Sequence, residues 1–251
     1  MFRLFLSVDM VGSTAFKASA PLRGEDGWLT IFRTFFTHFP LMLAGQIGFE
    51  FLDREETPAV DVWKAMGDEV IFTAQPSSAE EAVAILRVLL RTMRLYQAEH
   101  FDALPLRLKG TAWLADFSDY NIALEIPELS SSDAAPHLDF IGPDLDLGFR
   151  LSKYARPDSL ILSLDLLEML LQARNMGDLI LFLAGQERLK GVMFDRPYPI
   201  VWMNDAEDTA DRLPSASARP ASADMLREQI DSMRRHLREA HGFDRPPVRF
   251  S

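Results

Sequence analysis

The stretch Asp61-Val-Trp-Lys-Ala-Met-Gly-Asp-Glu-Val-Ile-Phe-Thr73 constrains this chain more than any other. Val62, Lys64 and Met66 alternate with Trp63 and Ala65, as on an extended strand, and Val70-Ile71-Phe72 supplies a return strand. Met66-Gly67 is the turn between them, so Asp68 follows a glycine free to take whatever backbone angles the turn demands. A carboxylate held on a tight hairpin can ligate a metal ion. It can equally be a solvated turn residue, and the choice depends on what else reaches it.

Near the N-terminus, Arg3-Leu-Phe-Leu-Ser-Val-Asp9 reads as a buried central strand that breaks at Met10-Val-Gly-Ser-Thr14. Ser13 or Thr14 can cap the helix that follows. A strand ending in a carboxylate, then Gly12, then a helix start suits a phosphate with its cation: backbone N–H groups face the anion and Asp9 takes the metal. Gly24 to Ala44 carries Trp28, Ile31, Phe32, Phe35, Phe36 and Phe39 at helical spacing, a core-facing helix. Gly48-Phe-Glu-Phe-Leu-Asp53 begins a strand, and Arg54 to Pro58 is its polar turn. Ser78 followed by Glu81 is a capping box that opens a helix reaching about His100. Pro105 to Ala115 alternates as a long strand, and Asp116 to Pro136 is a polar surface excursion.

A second organising stretch is Leu138-Asp-Phe-Ile-Gly-Pro-Asp-Leu-Asp-Leu-Gly-Phe-Arg-Leu151. Leu138 to Ile141 is a short strand, and Gly142-Pro143 opens a helix on which Asp146 and Arg150 share one face. Spacing alone leaves open a surface ion pair between them. Ser159 to Ser163 is a strand, Leu164 to Arg174 a helix and Asp178 to Leu183 a strand, with Arg188 to Val192 and Tyr198 to Trp202 finishing the sheet. Residues 1–204 form one domain. Residues 205–222, rich in Ala, Asp, Pro, Ser and Arg, form a linker. Residues 223–251 form a C-terminal helix and tail, whose Leu226, Ile230, Met233 and Leu237 stripe can pack on the domain, pair with a copy or dock a partner. The chain contains no internal repeat.

Composition narrows the classes. At 251 residues and 48% hydrophobic the chain has ample material for a core. A net charge of −11 argues against a general nucleic-acid-binding surface. With no cysteine there are no disulfides and no thiolate zinc sites. No apolar run approaches the ~20 residues that span a bilayer, and Leu4 to Val8 is too short for a signal peptide. The expectation is a soluble cytoplasmic protein that binds neither nucleic acid nor membrane.

With these pieces in order, the chain resembles the catalytic domain of the class III nucleotide cyclases over roughly Arg3 to Met203. The resemblance rests on Phe5-Leu-Ser-Val-Asp-Met-Val-Gly-Ser-Thr14, Lys64-Ala-Met-Gly-Asp68, Asp139-Phe-Ile-Gly142 followed by Arg150, and Leu189-Lys-Gly-Val192. It implies an α/β (α+β) fold: a mainly antiparallel sheet, ferredoxin-like at its centre, with helices on one face. It implies two divalent cations, Mn²⁺ or Mg²⁺, held by Asp9, Asp68 and the Met10 carbonyl. Lys64 and Asp139 would read the base, Lys190 would grip the β- and γ-phosphates, and Arg150 would stabilise the transition state. The family builds its site between protomers, so a homodimer with composite active sites is implied. Where the family has an asparagine one turn before the arginine, this chain has Asp146, which adds negative charge near a triphosphate and puts the ribose geometry in question.

The Lys64/Asp139 pair is compatible with more than one base. Adenine and cytosine each offer a ring nitrogen to the lysine and an amino group to the aspartate; uracil satisfies the pair with O4 and N3–H. The stand-alone layout, Asp-Met-Val-Gly-Ser-Thr and the nearby Lys17 further resemble the bacterial pyrimidine cyclases of the Pycsar anti-phage system. Those make cyclic UMP or cyclic CMP for a separate effector, and UTP is the favoured substrate over CTP here. An adenylate cyclase, a catalytically silent cyclase-like domain and a plain ferredoxin-like interaction module are the competing readings.

Overall fold

Alternation along the first strand decides where everything else packs. In β1 (Phe2–Val11), Leu4, Leu6, Val8 and Met10 enter the main core, whereas Phe5 belongs to a second, aromatic cluster on the other face. The computed structural model describes residues 1–19, 27–118, 120–126, 138–206 and 219–249. After β1 come α1 (Ser13–Ala18), α2 (Gly27–Glu50), the hairpin of β2 (Val60–Met66) and β3 (Glu69–Ala74), α3 (Ala79–His100) and β4 (Arg107–Asp116). These four strands lie in the order β4-β1-β3-β2, every pairing antiparallel, which is the expected ferredoxin-like centre. Gly67 turns the hairpin with φ 65°.

The chain then leaves the sheet. β5 (Ile122–Glu125) and β6 (Leu138–Ile141) form a separate antiparallel ribbon that leads into α4 (Pro143–Leu151). It returns through β7 (Leu160–Leu162), α5 (Leu164–Leu170), β8 (Leu179–Arg188), β9 (Pro197–Asp205) and β10 (Arg219–Pro220), and ends in α6 (Ala223–His241). The full sheet runs β10-β8-β9-β7-β4-β1-β3-β2, with β4 and β7 parallel and the other pairings antiparallel. The architecture is α+β with a mostly antiparallel sheet covered by helices, as the family resemblance implies. Among the described residues, no helix is long and apolar enough to cross a membrane.

Several local expectations are corrected. Gly48 to Asp53 is not a strand: α2 runs on to Glu50 and then turns. The Phe49/Phe51 alternation mimics a strand, but Leu43, Ile47 and Phe51 repeat every four residues, are buried, and leave Phe49 exposed. Neither Ser13 nor Thr14 caps α1; Gly12 holds the cap position with φ 88° and no side-chain bond. A Cβ at Gly12 would lie 2.6 Å from the Pro105 carbonyl oxygen, so the chain needs glycine there for space as well as for angle. Arg188 to Val192 is not a separate strand, since β8 runs on to Arg188 and the chain then turns. The helix expected over Leu164 to Arg174 ends at Leu170.

Ser78 does cap α3, accepting from the Glu81 amide at 3.1 Å. Residues 24–26 of the second expected helix, 119 and 127–136 of the surface excursion, 207–218 of the expected linker, and 250–251 of the tail lie outside the described residues. The excursion includes β5, and Arg219-Pro220 of the linker pairs with β8 at the sheet edge. Of the three fates open to the C-terminal helix, the structure takes the first. Leu226, Ile230, Met233 and Leu237 are buried in the main core.

Helices do not all lie on one face. α4 covers the aromatic cluster on the opposite face, with Leu145 inside that cluster and Phe149 packed against it. Gly148 makes this approach possible, because an added Cβ would sit 2.3 Å from the Trp113 ring. Trp113 stacks on Phe5 at 5.3 Å and cannot step aside freely. Gly148→Ala gains helix propensity yet should still destabilise the fold by about 1–3 kcal/mol through overpacking. A chemical-denaturation midpoint equal to or above wild type would contradict this packing.

Candidate active site

The ends of three neighbouring strands gather charge on the aromatic face of the sheet. In β1, Asp9 lies between Glu69 of β3 and Lys109 of β4 in the pairing register. Lys109 Nζ approaches Asp9 Oδ2 at 3.0 Å. Asp68 is on the adjoining hairpin turn, tied to β1 by its carbonyl, which accepts from the Met10 amide at 3.3 Å. The Ser13 hydroxyl donates to the Asp68 carboxylate, and this bond explains why Ser13 is not available as a cap. The structure therefore brings together Asp9, Met10 and Asp68, as their separate motifs imply.

Two further members of this cluster were not identified from sequence. Glu69 accepts from the Ser7 hydroxyl. Burial lifts the Glu69 carboxyl above its ordinary value; the Ser7 bond opposes that, Asp9 and Asp68 add repulsion, and Lys109 offsets part of it. Glu69 directly follows Asp68 and could have been suspected on that ground. Lys109 could not, because its role depends on the β1–β4 register.

Two strands over, Lys64 of β2 meets Asp139 of β6 at 2.6 Å. A register shift between Val62 and Lys64 puts a bulge at Trp63. The Lys64 ammonium lies 3.9 Å from the Trp63 ring centre, and Trp63 meets Phe140 edge-on at 5.3 Å. This aromatic seam joins the ribbon to the sheet edge, so Asp139 is fixed by the packing of its neighbour Phe140. Both charged side chains remain about a quarter exposed, so a ligand could reach them.

Past Asp139, Gly142 and Pro143 start α4, and Asp146 and Arg150 follow one turn apart. Asp146 is exposed and Arg150 half-buried. No ion pair joins them among the described residues, so the surface-pair alternative is not adopted. Lys190 is exposed just beyond β8. The register runs from Asp9 beside Lys109, through Gly110 to Leu160, to Met203 and on to Leu181. Lys190 thus stands at the far end of β8, and a single chain does not bring it to Asp9.

No protein-family model matches this chain, and no curated protein matches it. Solved structures do. An adenylyl cyclase, CyaB, from P. aeruginosa superposes with a TM-score of 0.57 at 16% identity, over 81% of this chain and 94% of that one. The guanylate cyclase domain of RhGC from Catenaria anguillulae, in complex with GTP, gives 0.54 at 11% identity, over 81% and 96%. A bacterial light-regulated adenylyl cyclase gives 0.53 at 11% identity, over 93% of this chain and 57% of that one. This chain has the class III nucleotide cyclase fold.

On that fold, the carboxylate cluster has the chemistry of a divalent-cation site. Among the described residues no three His, Cys, Asp or Glu side chains form a closed cage. A small hard cation needs none: it takes one or two carboxylates and fills its remaining positions with water and substrate phosphate. Asp9 and Asp68 can supply those oxygens, and the mutual repulsion felt by Glu69 is what a cation would relieve. Millimolar Mn²⁺ should accordingly raise the melting temperature of the full chain, by about 2–4 °C for each kcal/mol of binding linkage. The double change Asp9→Asn, Asp68→Asn should remove that rise, and an equal rise in the double variant would place the cation elsewhere.

Proposed function

We propose that this protein is a nucleoside triphosphate cyclase that converts a pyrimidine triphosphate, UTP in preference to CTP, to its 3′,5′-cyclic monophosphate and pyrophosphate. The Lys64–Asp139 contact carries this reading, because it presents a donor and an acceptor side by side beside aromatic rings. Adenine, cytosine and uracil can each satisfy that pair. Trp63 and Phe140 pack together beside the pair, and the preference for a pyrimidine rests on the resemblance to the pyrimidine cyclases.

In the reaction, the ribose 3′-oxygen forms a bond to the α-phosphorus while the bond to the pyrophosphate oxygen breaks. Divalent cations held by Asp9, Asp68 and the Met10 carbonyl would acidify the 3′-hydroxyl and offset phosphate charge. Lys64 and Asp139 bind the base and so fix the ribose relative to the α-phosphate. Arg150 donates to the equatorial oxygens as charge builds on them. Asp146, one turn earlier, accepts from the ribose where the family's asparagine would, and its charge makes triphosphate binding more dependent on cations. Lys190 attracts the β- and γ-phosphates.

Lys190 and Asp9 stand at opposite ends of the sheet in one chain, which supports a homodimer in which each site draws on both copies. The product would serve as a second messenger in anti-phage defence, read by a separate effector.

Turnover of UTP, CTP, ATP and GTP in separate reactions with Mn²⁺, with products identified by mass, tests the assignment. Cyclic UMP as the main product is expected. Cyclic AMP alone would make the protein an adenylate cyclase, and no product from any nucleotide would make it a silent member of the fold. Asp9→Ala or Asp68→Ala should lower turnover to background while leaving the circular dichroism spectrum unchanged. Full activity in either would overturn the cation assignment.

A further inference from the structure

The C-terminal tail beyond α6 passes against the helix that carries Asp146 and Arg150. Gly242 ends α6 with φ 65°, and Phe243 packs on Tyr120 with ring centres 4.6 Å apart. Arg245 then enters a nearly closed space, where its guanidinium is paired with two carboxylates. One is Asp165 of α5, at 2.9 Å, and the other is Asp144 in the first turn of α4. Asp144 is 1% exposed. Its carboxylate also accepts from the Asp116 amide at 3.1 Å and the Asn121 amide at 2.7 Å, while its own N–H donates to Asn121 at 3.1 Å.

Past Arg245 the tail is pinned again. The Val248 amide donates to Glu168 of α5 at 3.0 Å, and the Val248 carbonyl accepts from Gln172 at 2.8 Å. Arg234 of α6 grips Glu168 and donates to the Pro246 carbonyl at 3.2 Å. These contacts leave Arg245 little freedom. A buried guanidinium fork held on one side by α5 and the tail fixes the position of whatever carboxylate meets it on the other.

We propose that Arg245 is a positioning residue for α4, holding through Asp144 the helix face that presents Asp146 and Arg150. Its bearing on catalysis rests on the cyclase reading above; its hold on α4 does not. Without Arg245, the first turn of α4 keeps Asn121 and the Asp116 amide but loses its tie to α5. The turn bearing Arg150 then moves relative to Trp113, on which Gly148 is seated. Arg245 touches none of the residues assigned to the base or the cation, so the consequence falls chiefly on the chemical step, with a lesser part on the ribose through Asp146.

Hydrogen exchange and kinetics on the full chain test this together. Arg245→Lys keeps the charge but not the planar fork, and Asp165→Asn loosens the same arginine from the α5 side if the lysine variant folds poorly. Each is expected to speed amide exchange in residues 144–151 and leave β1 and β3 as protected as in wild type. Unchanged exchange in α4, or loosening spread evenly over the sheet, would overturn the proposal whether or not the protein turns over any nucleotide. In turnover, Arg245→Lys is expected to lower kcat by roughly ten- to a hundredfold with a much smaller change in KM, the scale of a small misplacement of a catalytic group. It should cost nothing further in the Arg150→Ala background. A KM effect with kcat intact, or full additivity with Arg150→Ala, would count against action through Arg150. Arg238→Ala, which breaks only the exposed Arg238–Asp244 pair on the same tail, should match wild type in both assays.

Discussion

Everything in this molecule depends on β1 being paired along both edges and used on both faces. Its ten residues pair with β4 over their whole length and with β3 over most of it. One face seals the main core with Leu4, Leu6, Val8 and Met10, none more than 2% exposed. The other carries Phe5, then Ser7, then Asp9, grading from an aromatic cluster to a charged one within a single strand. Because side chains alternate strictly, a one-residue slip would bury Asp9 and expose Val8. The hydrophobic energy of the core therefore fixes the place of a carboxylate that contributes little to stability itself.

Much of this was legible in the sequence because the relevant signals are local. The hairpin at Gly67, the Ser78 cap and the glycine-proline start of α4 each depend on a few neighbouring residues, and each is found where the chemistry of those residues puts it. The Asp9/Asp68 and Lys64/Asp139 associations could be inferred from separated motifs through a family resemblance. What failed was discrimination between periods. The segment after Ala44 offers both a two-residue alternation in Phe49 and Phe51 and a four-residue repeat in Leu43, Ile47 and Phe51, and only the core decides between them. What stayed invisible was long-range register: Lys109 beside Asp9, and Arg245 between Asp144 and Asp165, join residues with no mutual signature in the chain.

The C-terminal segment is part of the domain's packing. Composition suggests a domain, a linker and an appended helix, yet α6 contributes four side chains to the main core. It also braces the turn that follows Lys190. There Met193, Phe194 and Asp195 have φ of 52°, 50° and 58°, a left-handed run without glycine. Such residues cost about 1–3 kcal/mol each and persist only where their surroundings hold them. Phe194 stacks on His241 of α6 at 3.9 Å, and Arg196 donates to Ser232 at 3.1 Å. The same helix and its tail thus bear on both α4 and the segment beside Lys190.

These supports differ in kind, and the difference matters for how such a site can be tuned. Asp139 is placed by apolar packing through Phe140 and Trp63, an arrangement insensitive to salt. Asp9 and Asp68 are placed by strand pairing and balanced by Lys109 and Ser13, so their electrostatics respond directly to any cation that arrives. The first turn of α4 is placed by a buried guanidinium between two carboxylates, where removing one partner would leave uncompensated charge in a dry interior. Packing of this kind tolerates gradual change, whereas a buried ion cluster has few intermediate states. Substitutions at Trp63 or Phe140 would shift Asp139 by degrees, through the packing that seats it. The first turn of α4, tied through Asp144 into a buried charge cluster, has few ways to shift by small steps.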